Sequence, residues 1–301
     1  MSNQRSRGIV GIFILISVLF VIFLVFAFYT ISNLQGPLKV KNASIGVVEV
    51  EGVIMDSKKT IKKLLKAEND KEIEAIIVRV NSPGGAVGPT QEIYEEIRRI
   101  DKIKPIYASF GTVAASGGYY IGAACRKIYS NAGALTGSIG VIMNFMDLSK
   151  IYEWAKVRPE VIKAGKYKDI GSSAREMTNE EKGIMNEMIL KVHDQFIMDI
   201  YKVRADKIKN GLEGLREYAQ GQIFSGEGAK ERGLVDEIAG LWQAGRMIHK
   251  ELELKKDFDL KFIKIKKDSP SLFEMFNDME ESVQNVTQKL KMDAIPLFLH
   301  R

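Results

Sequence analysis

Ile73-Glu74-Ala75-Ile76-Ile77-Val78-Arg79-Val80 runs directly into Asn81-Ser82-Pro83-Gly84-Gly85, and this junction decides the fold. A β-branched run stopped by a proline-glycine turn is the pattern of a buried strand with an abrupt end. Upstream of it, residues 44–50 read as another strand and residues 57–66 as a short basic helix. Downstream, residues 89–100 carry Ile93, Tyr94, Ile97 and Ile100 at the spacing of one helical face. Residues 105–109 read as a strand, followed by a glycine turn and a helix that starts near Ser116. The same alternation predicts a strand at 139–142, a helix at 148–156 and a strand at 160–163. Such an order points to an α/β domain with mainly parallel strands. Thr178-Asn179-Glu180-Glu181 is a capping box that opens a long helix ending near Val203.

Outside this core the chain changes character. Residues 8–31 contain no charged side chain, enough to cross a hydrocarbon core of about 30 Å as a helix. Ala27-Phe28-Tyr29 offers no small-x-small cleavage site, so an uncleaved anchor is favoured over a removable signal peptide. Arg5 and Arg7 precede the span while Lys39 and Lys41 follow it. Charge therefore orients it only weakly, and the short N-terminus favours a catalytic bulk outside the cytoplasm. The expected organisation is a tail at 1–7, a transmembrane anchor at 8–31, a linker at 32–43, a catalytic domain at 44–249 and an extension at 250–301. Within that extension, residues 255–267 alternate apolar and basic side chains like a strand or exposed edge. Residues 271–290 place Leu272, Phe273, Phe276, Met279 and Val283 on one side of a helix, a pattern more typical of a packing face than of membrane binding.

Composition removes several function classes. The 301 residues carry a net charge of +6, two units of it from Arg5 and Arg7, and no basic run interleaved with aromatics. Nucleic-acid binding is not supported. Cys125, the only cysteine, excludes an intrachain disulfide or a Cys-rich zinc site and suits a buried structural thiol. No metal or cofactor is implied.

The chemistry is concentrated in Gly111-Thr112-Val113-Ala114-Ala115-Ser116-Gly117-Gly118-Tyr119-Tyr120. Ser116, at a strand-to-helix turn among small residues, is placed as a nucleophile whose oxyanion could meet backbone N–H groups. A bland alternative is that Ser116 only caps the following helix. Gly84 and Gly85 lie at the carboxyl edge of the sheet, where open α/β folds bind ligands. Neither dinucleotide nor phosphate-loop glycine spacing is present there. A base must accompany the serine. His193 falls in a charged helix, His249 at a helix end and His300 next to the C-terminus, so a Ser-His-Asp triad is disfavoured. Lysine serves as a base when burial or charge brings its pKa from about 10.4 towards about 7–8. Lys168, beside Asp169, Ser172, Ser173 and Arg175, is one candidate among several on these grounds.

Five motifs together carry a resemblance. Val80 to Gly85, Ala115 to Tyr120, Thr136-Gly137-Ser138-Ile139-Gly140, Gly165 to Asp169 with Arg175, and Gly233-Leu234-Val235-Asp236 resemble the signal peptide peptidase A family. The match runs from about Ser44 to Leu241 and is similar to the short, single-unit form. The resemblance implies a crotonase/Clp protease-like α/β fold behind an N-terminal transmembrane helix, and a membrane serine endopeptidase with a Ser-Lys dyad that degrades cleaved signal peptides. By position it makes Ser116 the nucleophile and Lys168 the general base. It gives the oxyanion donors as the N–H groups of Gly117 and of Gly85, the latter preferred over Gly84, and makes Ser172 an orienting partner for Lys168. Ser173 stands where many relatives have proline. The family also implies a ring-like homo-oligomer of about eight subunits at the cell membrane. Two rivals are a nodulation-efficiency-type membrane protease acting on a stomatin-like partner and a crotonase-like acyl-CoA hydratase or isomerase; a non-catalytic scaffold is a third.

Overall fold

The computed structural model describes residues 17–27, 29 and 43–265. Three parallel strands form the centre of the sheet: β1 (Ile45–Glu51), β2 (Ala75–Ser82) and β3 (Ile106–Ala115). Ile76, Ile77, Val78 and Val80 of β2 are all fully buried. This is why the strand reads as a continuous apolar run: a parallel sheet covered on both faces has no solvent side to alternate toward.

β3 is long enough to serve two partners in succession. Its Tyr107–Phe110 half pairs with β4 (Lys127–Ser130), and Val113–Ala115 pairs with β5 (Leu135–Gly137), both parallel. β6 (Ile223–Ser225) joins β5 antiparallel, β7 (Glu237–Ile238) joins β4, and β8 (Leu260–Phe262) lies parallel to β1 at the far edge. The β2–β3 register shifts between Val80 and Ser82. There the Asn81 side-chain oxygen accepts the Thr112 N–H at 2.7 Å, holding the extra residues of β3 in place.

The helices in chain order are α1 (Lys58–Asn69), α2 (Val87–Ile100), α3 (Gly117–Ala123), α4 (Ser149–Trp154), α5 (Asn179–Arg204), α6 (Gly211–Tyr218), α7 (Gly226–Glu231) and α8 (Leu241–Glu251). On one face of the sheet Val48, Val78 and Val80 bury against Leu64 of α1, Ile93 and Ile97 of α2, and Ile197 and Ile200 of α5. On the other, Ile45, Val47, Ile77 and Tyr107 bury against Ala244 and Ile248 of α8. Each such side chain contributes roughly 1.5–3 kcal/mol by leaving water. α5 begins at the expected capping box: Thr178 accepts the Glu181 N–H at 3.2 Å, and Glu181 accepts the Thr178 N–H at 2.9 Å. At its other end, Arg204 is wholly buried. It donates to Asp236 at 3.0 Å and to the Gly233 carbonyl at 2.8 Å, fastening α5 beside β4.

Two expected strands are absent. Residues 139–142 are irregular and unpaired in the sheet, because positive φ at Gly137 and Ser138 turns the chain away after β5. The Ile139 carbonyl instead accepts the Gly221 N–H, and Ser138 donates to the Gln222 carbonyl. Residues 160–163 have β-branched side chains but no neighbouring strand, so apolar patterning without a pairing partner leaves them irregular. The amphipathic segment 271–290 lies outside the described residues. So does most of the apolar stretch 8–31, of which residues 17–27 and 29 are helical. Among the described residues no helix is long and apolar enough to cross a membrane.

Candidate active site

Ser116 is the hinge between β3 and α3. Its φ of 52° and ψ of −120° lie where a residue with a Cβ is strained, at a cost of order 1–3 kcal/mol that the surroundings must sustain. Two backbone hydrogen bonds hold it there: its N–H donates to the Gly137 carbonyl, and its carbonyl accepts the Tyr120 N–H, both at 2.9 Å. The side chain makes no capping hydrogen bond to α3. A serine kept for capping would use its oxygen on the helix, so the bland alternative fails.

The proline-glycine turn packs directly on this hinge. Gly84 has φ +108°, and a Cβ there would lie 2.8 Å from the Gly117 nitrogen and 2.9 Å from the Ser116 Cβ. No side chain fits at that distance, so the two backbones approach closely only because residue 84 is glycine. Gly85 is bridged to Ile54: the Ile54 N–H donates to the Gly84 carbonyl at 2.9 Å, and Ala86 donates to the Ile54 carbonyl at 2.7 Å. A Cβ on Gly117 would sit 3.3 Å from the Gly85 nitrogen. The N–H groups of Gly85 and Gly117 are thus neighbours beside Ser116, and neither donates within the hydrogen bonds of the described residues.

A cavity of about 130 Å³ opens at the serine, bounded by Ser116, Gly117 and Gly85. Its other walls are Thr90 and Gln91 from α2 and the largely apolar set of Tyr120 from α3, Val141 and Ile142 from the segment after β5, and Val192 and Phe196 from α5. An apolar cavity of roughly 150 Å³ holds a benzene molecule, so this one has room for a single side chain no larger than that ring.

Lys168 is elsewhere. It is exposed, on a loop whose left-handed Gly165 turns the chain so that the Gly165 carbonyl accepts the Lys168 N–H at 3.2 Å. Its ammonium makes no hydrogen bond to Ser116, and it does not line the cavity. The loop is nevertheless firmly braced. Arg175 donates to both oxygens of Asp169 at 2.9 Å and to both oxygens of Glu181 at 2.8 and 2.6 Å. Hydrogen bonds from Arg175, and then from Lys163, hold the Asp169 carboxyl far below its usual range. Arg175 and the Thr178 N–H bring Glu181 to about 2. The Ser172 hydroxyl accepts the Ala174 N–H at 3.2 Å and lines a separate groove with Met143, Phe145 and Arg175. One chain therefore brings together Ser116, Gly117 and Gly85, and leaves Lys168 and Ser172 apart from them.

The other titratable candidates that the structure describes stay out of the cavity. His249 hydrogen-bonds the Lys256 carbonyl at 2.6 Å, His193 does not line the cavity, and His300 lies outside the described residues. Cys125 is buried, and burial pushes its thiol up. Among the described residues no group of three or more His, Cys, Asp or Glu side chains could hold a metal ion. The cavity walls Val192 and Phe196 carried no signal in the sequence beyond helical amphipathicity, since they lie far along the chain from Ser116.

The model of peptidase family S49 matches residues 98–255, which contain both Ser116 and Lys168. The Clp protease model matches residues 46–134, which contain the glycine turn and Ser116. The mixed α/β sheet is consistent with a Clp protease/crotonase-like domain. A Synechocystis protein with the provisional name of a protease is 40% identical over 195 residues, 64% of this chain and 69% of the relative. An Enterococcus faecium protein provisionally named signal peptide peptidase SppA is 33% identical over 242 residues, 76% of this chain and 68% of the relative. The chloroplastic serine protease SPPA of Arabidopsis thaliana is 28% identical over 264 residues, 87% of this chain and 37% of the relative.

Proposed function

This chain belongs to peptidase family S49, the family of signal peptide peptidase A, and from that premise we propose that it is a membrane-anchored serine endopeptidase acting through Ser116 and Lys168. The observation that carries the reading is the strained, uncapped Ser116 facing a mainly apolar cavity beside two unengaged N–H groups. Ser116 Oγ attacks the scissile carbonyl while Lys168 Nζ takes its proton. The N–H groups of Gly117 and Gly85 hold the oxyanion, and Lys168 returns the proton to the leaving amine. Water then attacks the acyl-enzyme by the reverse route and frees Ser116. The cavity receives the aliphatic side chain preceding the scissile bond, and apolar peptides, cleaved signal peptides among them, are the substrate class.

The lysine is the demanding part. A lysine becomes a base when its ammonium is desolvated, and Lys168 is exposed and away from Ser116 in one chain. Around its loop the protein exposes large apolar side chains: Ile142 is 81% exposed, Trp154 75% and Ile162 97%. We assign these to contacts between copies, in a homo-oligomer where the loop of one subunit covers the serine of the next and buries Lys168. Residues 8–31 tether the assembly as a single-pass anchor, with the catalytic unit from residue 44 outside the cytoplasm and residues 250–301 as an extension.

The test uses the full-length chain with a synthetic signal peptide, a stomatin-like segment and a folded protein as substrates. Ser116→Ala and Lys168→Ala should each abolish cleavage of the signal peptide, and His193→Ala should not. Co-assembling the two dead variants should restore part of the activity if serine and lysine come from different copies. Cleavage surviving in Lys168→Ala defeats the dyad; single losses without restoration on mixing defeat only the placement between copies. Preference for the stomatin-like segment would transfer the substrate assignment to that class.

A further inference from the structure

The geometry points to Asp199 as a positioning residue that sets the size of side chain accepted at the Ser116 cavity, acting through Tyr120. This rests on the reading of Ser116 as the nucleophile beside that cavity. Asp199 lies on α5 three and seven residues beyond the cavity walls Phe196 and Val192, on the same helical face. It is only 8% exposed, within a largely apolar cluster. A buried carboxylate is costly unless hydrogen-bonded, and its bonds here are specific. The Tyr120 hydroxyl donates to Asp199 Oδ2, and Lys202 donates to Oδ1 at 2.7 Å from an exposed position. The Tyr94 hydroxyl donates to the Asp199 carbonyl at 2.9 Å.

Tyr120 is where this cluster meets the cavity. Its ring forms part of the wall, packed at 4.6 Å from the Phe196 ring and 4.9 Å from the Tyr94 ring. Its backbone N–H closes on the carbonyl of Ser116. Burial and the neighbouring Asp199 push its hydroxyl up, so it remains a donor. The hydroxyl bound to Asp199, with Gln91 as its second hydrogen-bond partner, fixes the tilt of a ring packed between Tyr94 and Phe196 and ties α3 to α5. The carboxylate thereby holds the cavity at about 130 Å³, a little under the roughly 150 Å³ that accommodates a benzene ring, so a phenylalanine side chain is the tighter fit.

The experiment compares kcat/KM for two peptides that differ only in leucine or phenylalanine before the scissile bond, with full-length wild type and Ser116→Ala in the same assay. Wild type should favour leucine, and Asp199→Leu and Tyr120→Phe should each lower that preference about tenfold, the lower end of what one hydrocarbon increment commands in a pocket. Asp199→Asn, which keeps an acceptor, should retain the preference. Equal loss on both peptides in every variant would show a purely structural role and overturn the inference. If Asp199→Leu does not fold, Tyr120→Phe decides alone, because it keeps the ring and removes only the hydroxyl. Cleavage of both peptides by Ser116→Ala would sink the assignment of the nucleophile, and with it this inference; selectivity unchanged in a Ser116-dependent enzyme would sink this inference only.

Discussion

Gly85→Ala separates oxyanion stabilisation from simple stability. A Cβ at position 85 would lie 2.5 Å from the Ile54 nitrogen and nearer still to the Ile54 carbonyl. Both are backbone atoms, so no rotamer change can relieve the overlap, and the turn must move away from Ile54. That movement breaks two backbone hydrogen bonds, Ile54 to Gly84 and Ala86 to Ile54, at about 1 kcal/mol each. A loss of about 2 kcal/mol in a chain of this size lowers Tm by about 4–8 °C. It also leaves the protein folded at 25 °C, since native stabilities run at roughly 5–15 kcal/mol. Unfolding therefore cannot account for a large kinetic defect. Displacing one oxyanion donor, by contrast, costs about 10²–10³ in kcat. The assay is steady-state cleavage of a synthetic apolar peptide, alongside thermal denaturation, with Gly88→Ala as control. Gly88 is a helical glycine with open space around its would-be Cβ, so that substitution should leave kcat unchanged. A kcat loss of less than about tenfold in folded Gly85→Ala would refute the role of this N–H, given the size expected for such a donor.

Other substitutions test the scaffold around the site. Arg175→Ala should loosen the loop of Lys168, visible as faster amide exchange across residues 163–175 and a fall in kcat, while Arg175→Lys recovers only part because it cannot pair with both carboxylates at once. The same loop should weaken in acid. Glu181 titrates at about 2 in the folded chain, against 4.5 ordinarily, so its contribution is fully present above about pH 5 and lost as pH falls from 4.5 toward 2. Protection factors across the loop, taken relative to intrinsic exchange at each pH, that are equal at pH 7 and pH 3 would contradict this. Arg204→Ala should cost about 1.5–3 kcal/mol, the range for a hydrogen bond to a charged group, because the half-buried Asp236 carboxylate loses one charged partner and keeps Lys207 and the Ile128 N–H; chemical denaturation measures it. Cys125 should resist thiol reagents in the folded protein and react once it unfolds, since it is buried and its thiol is pushed up.

The legible part of the sequence was local. The strand 73–80 and its proline-glycine turn, the turn at Ser116 and the capping box at Thr178 each carry their signal within a few residues, and each stands in the structure near the expected place. The strands expected at 139–142 and 160–163 failed for the opposite reason: pairing is a property of two segments, and β-branched content at one of them cannot show that the partner is missing. β4 and β5 are short and gain their identity by sharing β3, which no window along the chain reveals. Around the candidate site, small residues and turns marked Ser116, Gly117 and the turn at Gly84 and Gly85 as places where backbones approach, while the choice of Gly85 came from the motif resemblance. Tyr120, Asp199 and Phe196 were not marked, since their roles come from α5 folding back over α3. Lys168 lies between these cases: motif resemblance marks it, while the fold of one chain holds it on a braced loop away from the serine.

The most direct test of the account is where an active-site-directed serine reagent attaches, and how fast. Full-length protein treated with a fluorophosphonate and mapped by mass spectrometry should carry the adduct at Ser116. Labelling should be absent in Ser116→Ala and slowed about 10²-fold or more in Lys168→Ala, the span expected for loss of a general base. Labelling of another residue, or of Ser116 at an unchanged rate in Lys168→Ala, would contradict the Ser-Lys assignment.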